Sequence, residues 1–329
     1  MKNSHSWDVL VIGSINSDFL VQGPALPKSG ETVAGNSFFH GPGGKGANQA
    51  VAAARLGARV ALIGRVGSDE RGSKLLKALR SEGVDTRFIE RDPKAFTGAA
   101  VIMVDAQGEK QILAAAGANG RLSVANVRAA FRRCTRAGAV VMQFEIPFAA
   151  VVEGARLGRK LGASVILDPA PPVALPNDQL LNLLDVIRPN SSEAEALTGI
   201  RVCDRETARQ AARALMQRGV RAVVLQAGDA GDLLVWPGGE KFFPRIHVKT
   251  VDATGAGDAF VGAMAAAIAQ GHPLEEAGYF GNCAAALATT KFGAQTALPR
   301  RHELIKLLSS VAPQILKQKW WQIKWKGSR

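Results

Sequence analysis

Apolar runs of strand length alternate with helical patterns through most of this chain, and that alternation limits its fold more than any other feature. WDVLVIG at residues 7–13 precedes a helical pattern from Lys45 to Leu56, then ARVALIG and a helical pattern near Leu75 to Arg80. AGAVVMQF leads to a pattern near Ala149 to Lys160, then come ASVILD, LLDVIRPN, a pattern near Glu206 to Gln217, and VRAVVLQAG. Near-continuous apolar strands separated by helices imply a mostly parallel sheet covered by helices on both faces, an α/β fold. Residues 18–40 and 96–115 break the rhythm. Each holds short β-like stretches around turn chemistry, PKSGE in one and DAQGE in the other, so the two are expected to pair as a small sheet beside the main one.

A chain of 329 residues has room for one large α/β domain with an appendage. With no Pro- or Gly-rich linker and no internal repeat, the expectation is a single domain over 1–308, a β lid built from 18–40 and 96–115, and a basic tail over 309–329. Cys134, Cys203 and Cys283 are far apart and match no metal or redox spacing. WDVLVIGS is too short for a secretory core or a membrane span, so a cytoplasmic protein is expected. Part of the formal charge of +13 sits in KQKWWQIKWKGSR, where lysines interleave with Trp320, Trp321 and Trp325. Such a segment suits a membrane surface or nucleic acid, or is a plain terminal extension; no function is assigned to it, and no specific nucleic-acid partner.

Three glycine-rich stretches compete as a phosphate site. In HGPGGKGANQAVAAARLG, Gly41, Gly43 and Gly46 satisfy G-x-G-x-x-G, but the stretch does not follow the first core strand, and its lysine lacks the Ser or Thr of a P-loop. In VVLQAGDAG the glycine is either a turn into the hairpin DLLVWPGGEKFF or a place where backbone approaches a nucleotide beyond a strand's carboxyl end. The third, VDATGAGDAF, opens an alanine-rich helical pattern over Ala259 to Gln270. Gly255, Ala256 and Gly257 at a helix start place backbone amides and the positive end of the helix dipole near one another. Asp258 is then either a favourable first-turn acid or a general base beside an anion site, the arrangement a kinase without a P-loop needs.

On GPGGKGANQAVAAARLG and VDATGAGDAFVGA the chain resembles the ribokinase family of carbohydrate kinases, the PfkB group. Further matches run through VIGSINSD, TGAAVIMVD, GAN, MQFEIP, LDPAPP and RPNSSEAEALTG to FGAQTALP, covering residues 7–308. The resemblance implies a ribokinase-like fold and a sugar site at Asn16, Ser17 and Asp18, at Gly43, Gly44, Lys45, Gly46, Ala47 and Asn48, and at Glu145, whose other reading is a cap for the helix near Pro147. It implies Asp258 as base, with Gly255, Ala256 and Gly257 as anion hole. On the nucleotide side it implies Asn190 and Glu193, the latter reaching Mg2+ through water, then Gln226, Ala227, Gly228, Asp229, Ala230 and Gly231, and Asn282 near adenine. The alternative for Asn190 and Glu193 is an ordinary strand end and first-turn acid. A monovalent cation, K+, would be held mainly by backbone carbonyls at Asp252, Thr254, Ala288, Lys291, Gly293 and Ala297.

Two departures stand out. Gln226 and Ala227 replace a Thr-Leu pair common in the family, and Ala297 replaces a serine hydroxyl. The expected activity is ATP-dependent phosphorylation of D-ribose at its 5-hydroxyl by a homodimer paired through the β lid. The alternatives are a kinase for deoxyribose, a ketohexose or adenosine, or a non-catalytic sugar- or nucleic-acid-binding protein.

Overall fold

The computed structural model describes residues 5–175 and 177–316. Thirteen strands and ten helices follow in chain order. The strands are β1 (His5–Ile12), β2 (Asn16–Gln22), β3 (Ser37–Gly43), β4 (Val60–Gly67), β5 (Val84–Asp92), β6 (Gly98–Val104), β7 (Lys110–Ala115), β8 (Cys134–Met142), β9 (Ser164–Leu167), β10 (Val186–Ile187), β11 (Ala222–Gln226), β12 (Gly231–Trp236) and β13 (Gly239–Pro244). The helices are α1 (Lys45–Arg55), α2 (Glu70–Ser81), α3 (Val124–Phe131), α4 (Phe148–Lys160), α5 (Ser191–Thr198), α6 (Arg205–Gln217), α7 (Ala256–Ala269), α8 (Leu274–Ala288), α9 (Arg301–Val311) and α10 (Pro313–Leu316).

Nine strands form one sheet in the order β13-β12-β11-β10-β9-β8-β1-β4-β5. Its seven strands from β11 to β5 run parallel, and β12 and β13 add the expected hairpin antiparallel at one edge. The period of two explains why the strands read as unbroken apolar runs. Val9 and Val11 enter one core with α1, α7 and α8, while Leu10 and Ile12 enter the other with α4 and α6. Leu304, Leu308, Ala312 and Ile315 join the first core, so burial continues past residue 308. The lysine- and tryptophan-bearing residues 317–329 lie outside the described residues.

The second sheet has the order β3-β2-β6-β7 and is made of the two segments that break the helix–strand rhythm. Two of its strands, β2 and β6, begin at Asn16 and Gly98, a few residues after β1 and β5 of the main sheet end at Ile12 and Asp92.

Several elements depart from the sequence reading. The helix expected near Leu75 begins at Glu70, because the Asp69 carboxylate accepts from the Gly72 amide at 2.8 Å and caps it. The run LLDVI yields only the two-residue β10, because Leu183 ends and Leu184 caps a 3-10 turn over Leu181–Leu183. No helical period announces α8, since its small apolar residues face core on nearly every side. Close approach replaces amphipathicity there and in α7. A Cβ on Gly262 would meet the Gln49 carbonyl of α1 at 2.8 Å, and one on Gly281 would meet Phe260 at 2.6 Å.

Candidate active site

A cavity of about 1080 Å³ lies between the carboxyl ends of the parallel strands and the small sheet. This is where an open α/β sheet leaves a crevice. Its centre is Asp258, the third residue of α7 and only 5 % exposed.

The preceding Gly255 caps α7 at φ 80°, ψ 0°, a left-handed conformation, and a Cβ there would stand 3.1 Å from Ala294 Cα. Glycine satisfies both demands. The first-turn amides of a helix have no partner within it. The Ala256 amide donates to Ala253 O at 3.3 Å, so the first-turn amides left for a ligand are those that follow, at Gly257 and Asp258.

Three consecutive-turn residues of α1 converge on Asp258. Asn48 Nδ2 donates to Oδ2 at 2.8 Å, Gln49 Nε2 donates to Oδ1 at 3.0 Å, and Lys45 Nζ stands 3.8 Å from Oδ1. Burial pushes the Asp258 carboxyl above the usual range, Lys45 and the two amides pull it back, and the charge of Asp168 pushes it further up. Asp168, just past β9, accepts from Lys45 Nζ at 3.3 Å and Gln49 Nε2 at 2.7 Å. Burial disfavours the Lys45 ammonium, but Asp168, Asp258 and Glu145 around it more than offset that and hold it protonated.

On the small-sheet side, Asn16 and Asp18 line the cavity. Asn16 Oδ1 accepts from Asn119 Nδ2 at 2.7 Å, and Asn119 Oδ1 accepts from the Ile15 amide at 2.9 Å. Asp18 Oδ1 and Asn48 Oδ1 are buried with no hydrogen-bond partner among the described residues. Burial pushes Asp18 up to about 7, with Glu145 and Asp258 adding like-charge repulsion. Glu145 accepts from the Ser14 hydroxyl and from the Lys45 amide at 3.1 Å. It does not cap α4, whose N-cap is Pro147 without any side-chain bond.

Not every expected sugar-site residue reaches the wall. Ser17 faces the opposite side of β2, bonded to His40 Nε2 at 2.7 Å, because adjacent strand residues point to opposite faces. Gly43 is small because the Asp18 carboxylate occupies the space a side chain would take. Gly46 packs on the backbone of Gly13, where a Cβ would come within 2.6 Å, and Ala47 is core. Gly44 does reach the cavity, at φ 87°.

On the far side, Asn190 and Glu193 are both a helix start and cavity wall. The Asn190 side chain accepts from the Glu193 amide at 2.8 Å, and Glu193 Oε2 accepts from the Asn190 amide at 2.8 Å, a capping box that opens α5. Glu193 is 4 % exposed, and burial first and Asp168 second push its carboxyl up. A cation there would relieve that charge crowding, and a hard Mg2+ that keeps most of its waters needs few protein ligands, so the donor set fits. Gln226, Gly228, Asp229 and Gly231 line the cavity, whereas Ala227 is buried behind it and Ala230 lies off it. Asn282 lines it from α8, its Nδ2 donating to Pro244 O at 3.0 Å.

The expected monovalent-cation loop is stitched together through Asp252. Its Oδ1 accepts from the Thr254 amide at 2.9 Å and its Oδ2 from the Gly293 amide at 3.0 Å, with the Asp252 amide donating to Thr289 O at 3.2 Å. Lys291 Nζ pairs with Glu303 at 2.6 Å, and Ala288 and Ala297 are buried. With both Asp252 oxygens engaged, backbone carbonyls are the ligands such an ion would have, which suits K+.

Sequence reasoning gave no role to Asp168, Gln49, Asn119 or Arg188. Only Asp168 carried a local signal, as an acid directly after an apolar strand.

Comparison with known proteins places the chain in a family. Residues 7–301 match the model of the pfkB family of carbohydrate kinases. The ribokinase of Haemophilus influenzae is 40% identical over 298 residues, 91% of this chain and 97% of that protein. The deoxyribokinase of Salmonella typhi is 34% identical over 302 residues, 92% of this chain and 99% of its own. The Arabidopsis thaliana ribokinase complexed with ribose and ATP superposes with a TM-score of 0.82 at 32% identity, covering 92% of this chain and 99% of that one. With its nine-stranded sheet, its small second sheet and its two glycine-rich stretches at one cavity, the chain belongs to the pfkB family of carbohydrate kinases.

Proposed function

We propose that the chain transfers the γ-phosphoryl group of ATP to the 5-hydroxyl of D-ribose. The observation that carries this reading is the buried Asp258 carboxylate at the start of α7, held by Asn48 and Gln49 in a cavity walled also by Asp18 and Asn48, each with one buried side-chain oxygen that has no partner among the described residues. Asp258 takes the hydroxyl proton as the sugar oxygen bonds to the γ-phosphorus. The bond from that phosphorus to the β–γ bridging oxygen breaks, and the oxygen leaves with ADP. Amides at the α7 N-terminus meet the charge on the phosphoryl oxygens, and Asn16, Asp18, Asn48 and Glu145 orient the sugar. Magnesium, near Glu193, would supply charge neutralisation on the nucleotide phosphates.

The deoxyribokinase relative supports a second reading within the same chemistry, with deoxyribose as acceptor. K+ at the Asp252–Gly293 loop would act as an activator by fixing the backbone just ahead of α7. The test is ADP release with Mg-ATP across ribose, deoxyribose, fructose and adenosine, with and without K+. Ribose should turn over best, and Asp258→Asn should lower kcat by roughly 10²–10⁴-fold, the contribution of a general base. Preference for deoxyribose would replace the acceptor, and absence of turnover with every sugar would overturn the reading.

A further inference from the structure

We propose that Arg188 is a second cation of the phosphoryl-transfer site, contacting the oxygens of the transferred group beside the α7 N-terminus. This rests on the kinase reading above and adds a group to it.

Arg188 directly follows β10, and its amide donates to Leu167 O at 2.9 Å, so its backbone is part of the sheet's carboxyl edge. Two contacts then fix the side chain. Its Nη2 donates to Asp232 Oδ1 at 3.2 Å, and its guanidinium carbon lies 4.8 Å from the centre of the Phe260 ring. Phe260 belongs to α7, so the same helix that carries Asp258 also seats the arginine.

The third relationship is with Gly257. A Cβ built there would stand 3.2 Å from Arg188 Nη1, so the guanidinium comes up against the first turn of α7 at the residue whose amide is available to an anion. Any larger residue at 257 would push against it. Glycine at that position therefore keeps a cation, as well as backbone, close to the anion site.

The donors of Arg188 are incompletely used. A guanidinium has five N–H groups. Asp232 takes one, and the Nε is buried with no partner among the described residues. A buried unpaired donor is costly unless something accepts from it. The cavity it lines also holds Asn190, Glu193 and Asp258. Lys45 is already committed to Asp168 and Asp258, and of the other cations on the cavity wall Lys110 bonds Thr254 and Arg245 pairs with Asp229, whereas Arg188 gives Nη2 to Asp232 and keeps Nη1 beside Gly257. A planar fork fits two oxygens of a phosphoryl group at once, which an ammonium cannot do. In the in-line transition state charge spreads over three equatorial oxygens, and a guanidinium already in place stabilises that state more than the ground state.

The test compares the parent protein with Arg188→Gln, Arg188→Lys and Arg188→Ala. For Arg188→Gln, kcat should fall about 100-fold or more, the loss typical of one transition-state donor, while the sugar KM stays nearly unchanged. Affinity for ADP with aluminium fluoride, a planar phosphoryl mimic, should fall by a similar factor while affinity for ADP alone is kept. Arg188→Lys should recover only part of the loss, and added guanidinium should partly restore Arg188→Ala. Unchanged kcat in Arg188→Gln, or a loss that follows ADP affinity and thermal stability with no rescue by guanidinium, overturns the role of Arg188. If the parent itself phosphorylates no sugar, it is the kinase reading that fails.

Discussion

Asn48 donates its Nδ2 hydrogen to Asp258 Oδ2 at 2.8 Å, joining residues 210 positions apart in the chain. The bond stabilises the ionised carboxylate, which burial otherwise disfavours. Removing the donor with Asn48→Ala should raise the Asp258 pKa further. As the proposed base, Asp258 acts only when ionised, so the acid limb of the kcat/KM profile should move to higher pH. A pH–rate series on parent and variant checks the direction, and a shift to lower pH would contradict the assigned role of Asp258.

Asp18 is held up to about 7 by burial, then by Glu145 and Asp258. Its folded pKa lies above the unfolded value of 3.8, so the folded protein binds the extra proton and loses stability as pH rises between those values. Asp18→Asn has no such proton to lose. Its melting temperature without ligand should gain on the parent from about pH 4 to pH 7 and level off above that, while its sugar affinity falls, a trade of function for stability. Thermal melts across that range decide it. A difference that does not change with pH counts against the crowded carboxylate.

Gly46 has a packing duty rather than a ligand contact, since a Cβ would meet Gly13 backbone at 2.6 Å. Backbone cannot swing aside as a flexible side chain does. Gly46→Ala should cost about 1–3 kcal/mol in chemical denaturation, the range for overpacking. No measurable loss would show that α1 can move away from β1 freely.

The small sheet has two unlike faces. Register places Val21 opposite Phe38 and Val101 opposite Leu113, and these four residues are 36 %, 66 %, 44 % and 77 % exposed, whereas Asp18, Ala100 and Ile102 line the cavity on the other side. We infer a homodimer that covers this outer apolar face and the β7 edge. Leu113→Lys combined with Val101→Glu should halve the mass seen by light scattering. A parent protein that is already monomeric at micromolar concentration would remove the proposal.

Some of the site could be read locally and some could not. The Gly-Ala-Gly-Asp order at 255–258 announces a helix start with an acid in its first turn, because helix ends obey short-range rules. The turn chemistry of PKSGE and DAQGE likewise marks the strands of the small sheet. Glu193 is the first-turn acid that caps α5, and the same residue stands in the cavity wall, which a local reading could not place. Ser17 shows the limit of motif reading: a neighbour of two cavity residues in sequence, it points away from them because strand side chains alternate.

What the chain's own pattern determined is the class of the fold, the order of the central strands and several of the helices between them, the two glycine-rich turns and the acid beside one of them. Hydrophobic period, helix capping and glycine's backbone freedom act over a few residues and are visible one segment at a time. Only the tertiary structure decided that Gln49 would bridge Asp168 and Asp258, that Asn119 would hold Asn16, and that Arg188 would lie against Gly257. Those contacts depend on how closely helices pack on the sheet, and such distances follow from the filling of a shared core rather than from any one stretch of sequence.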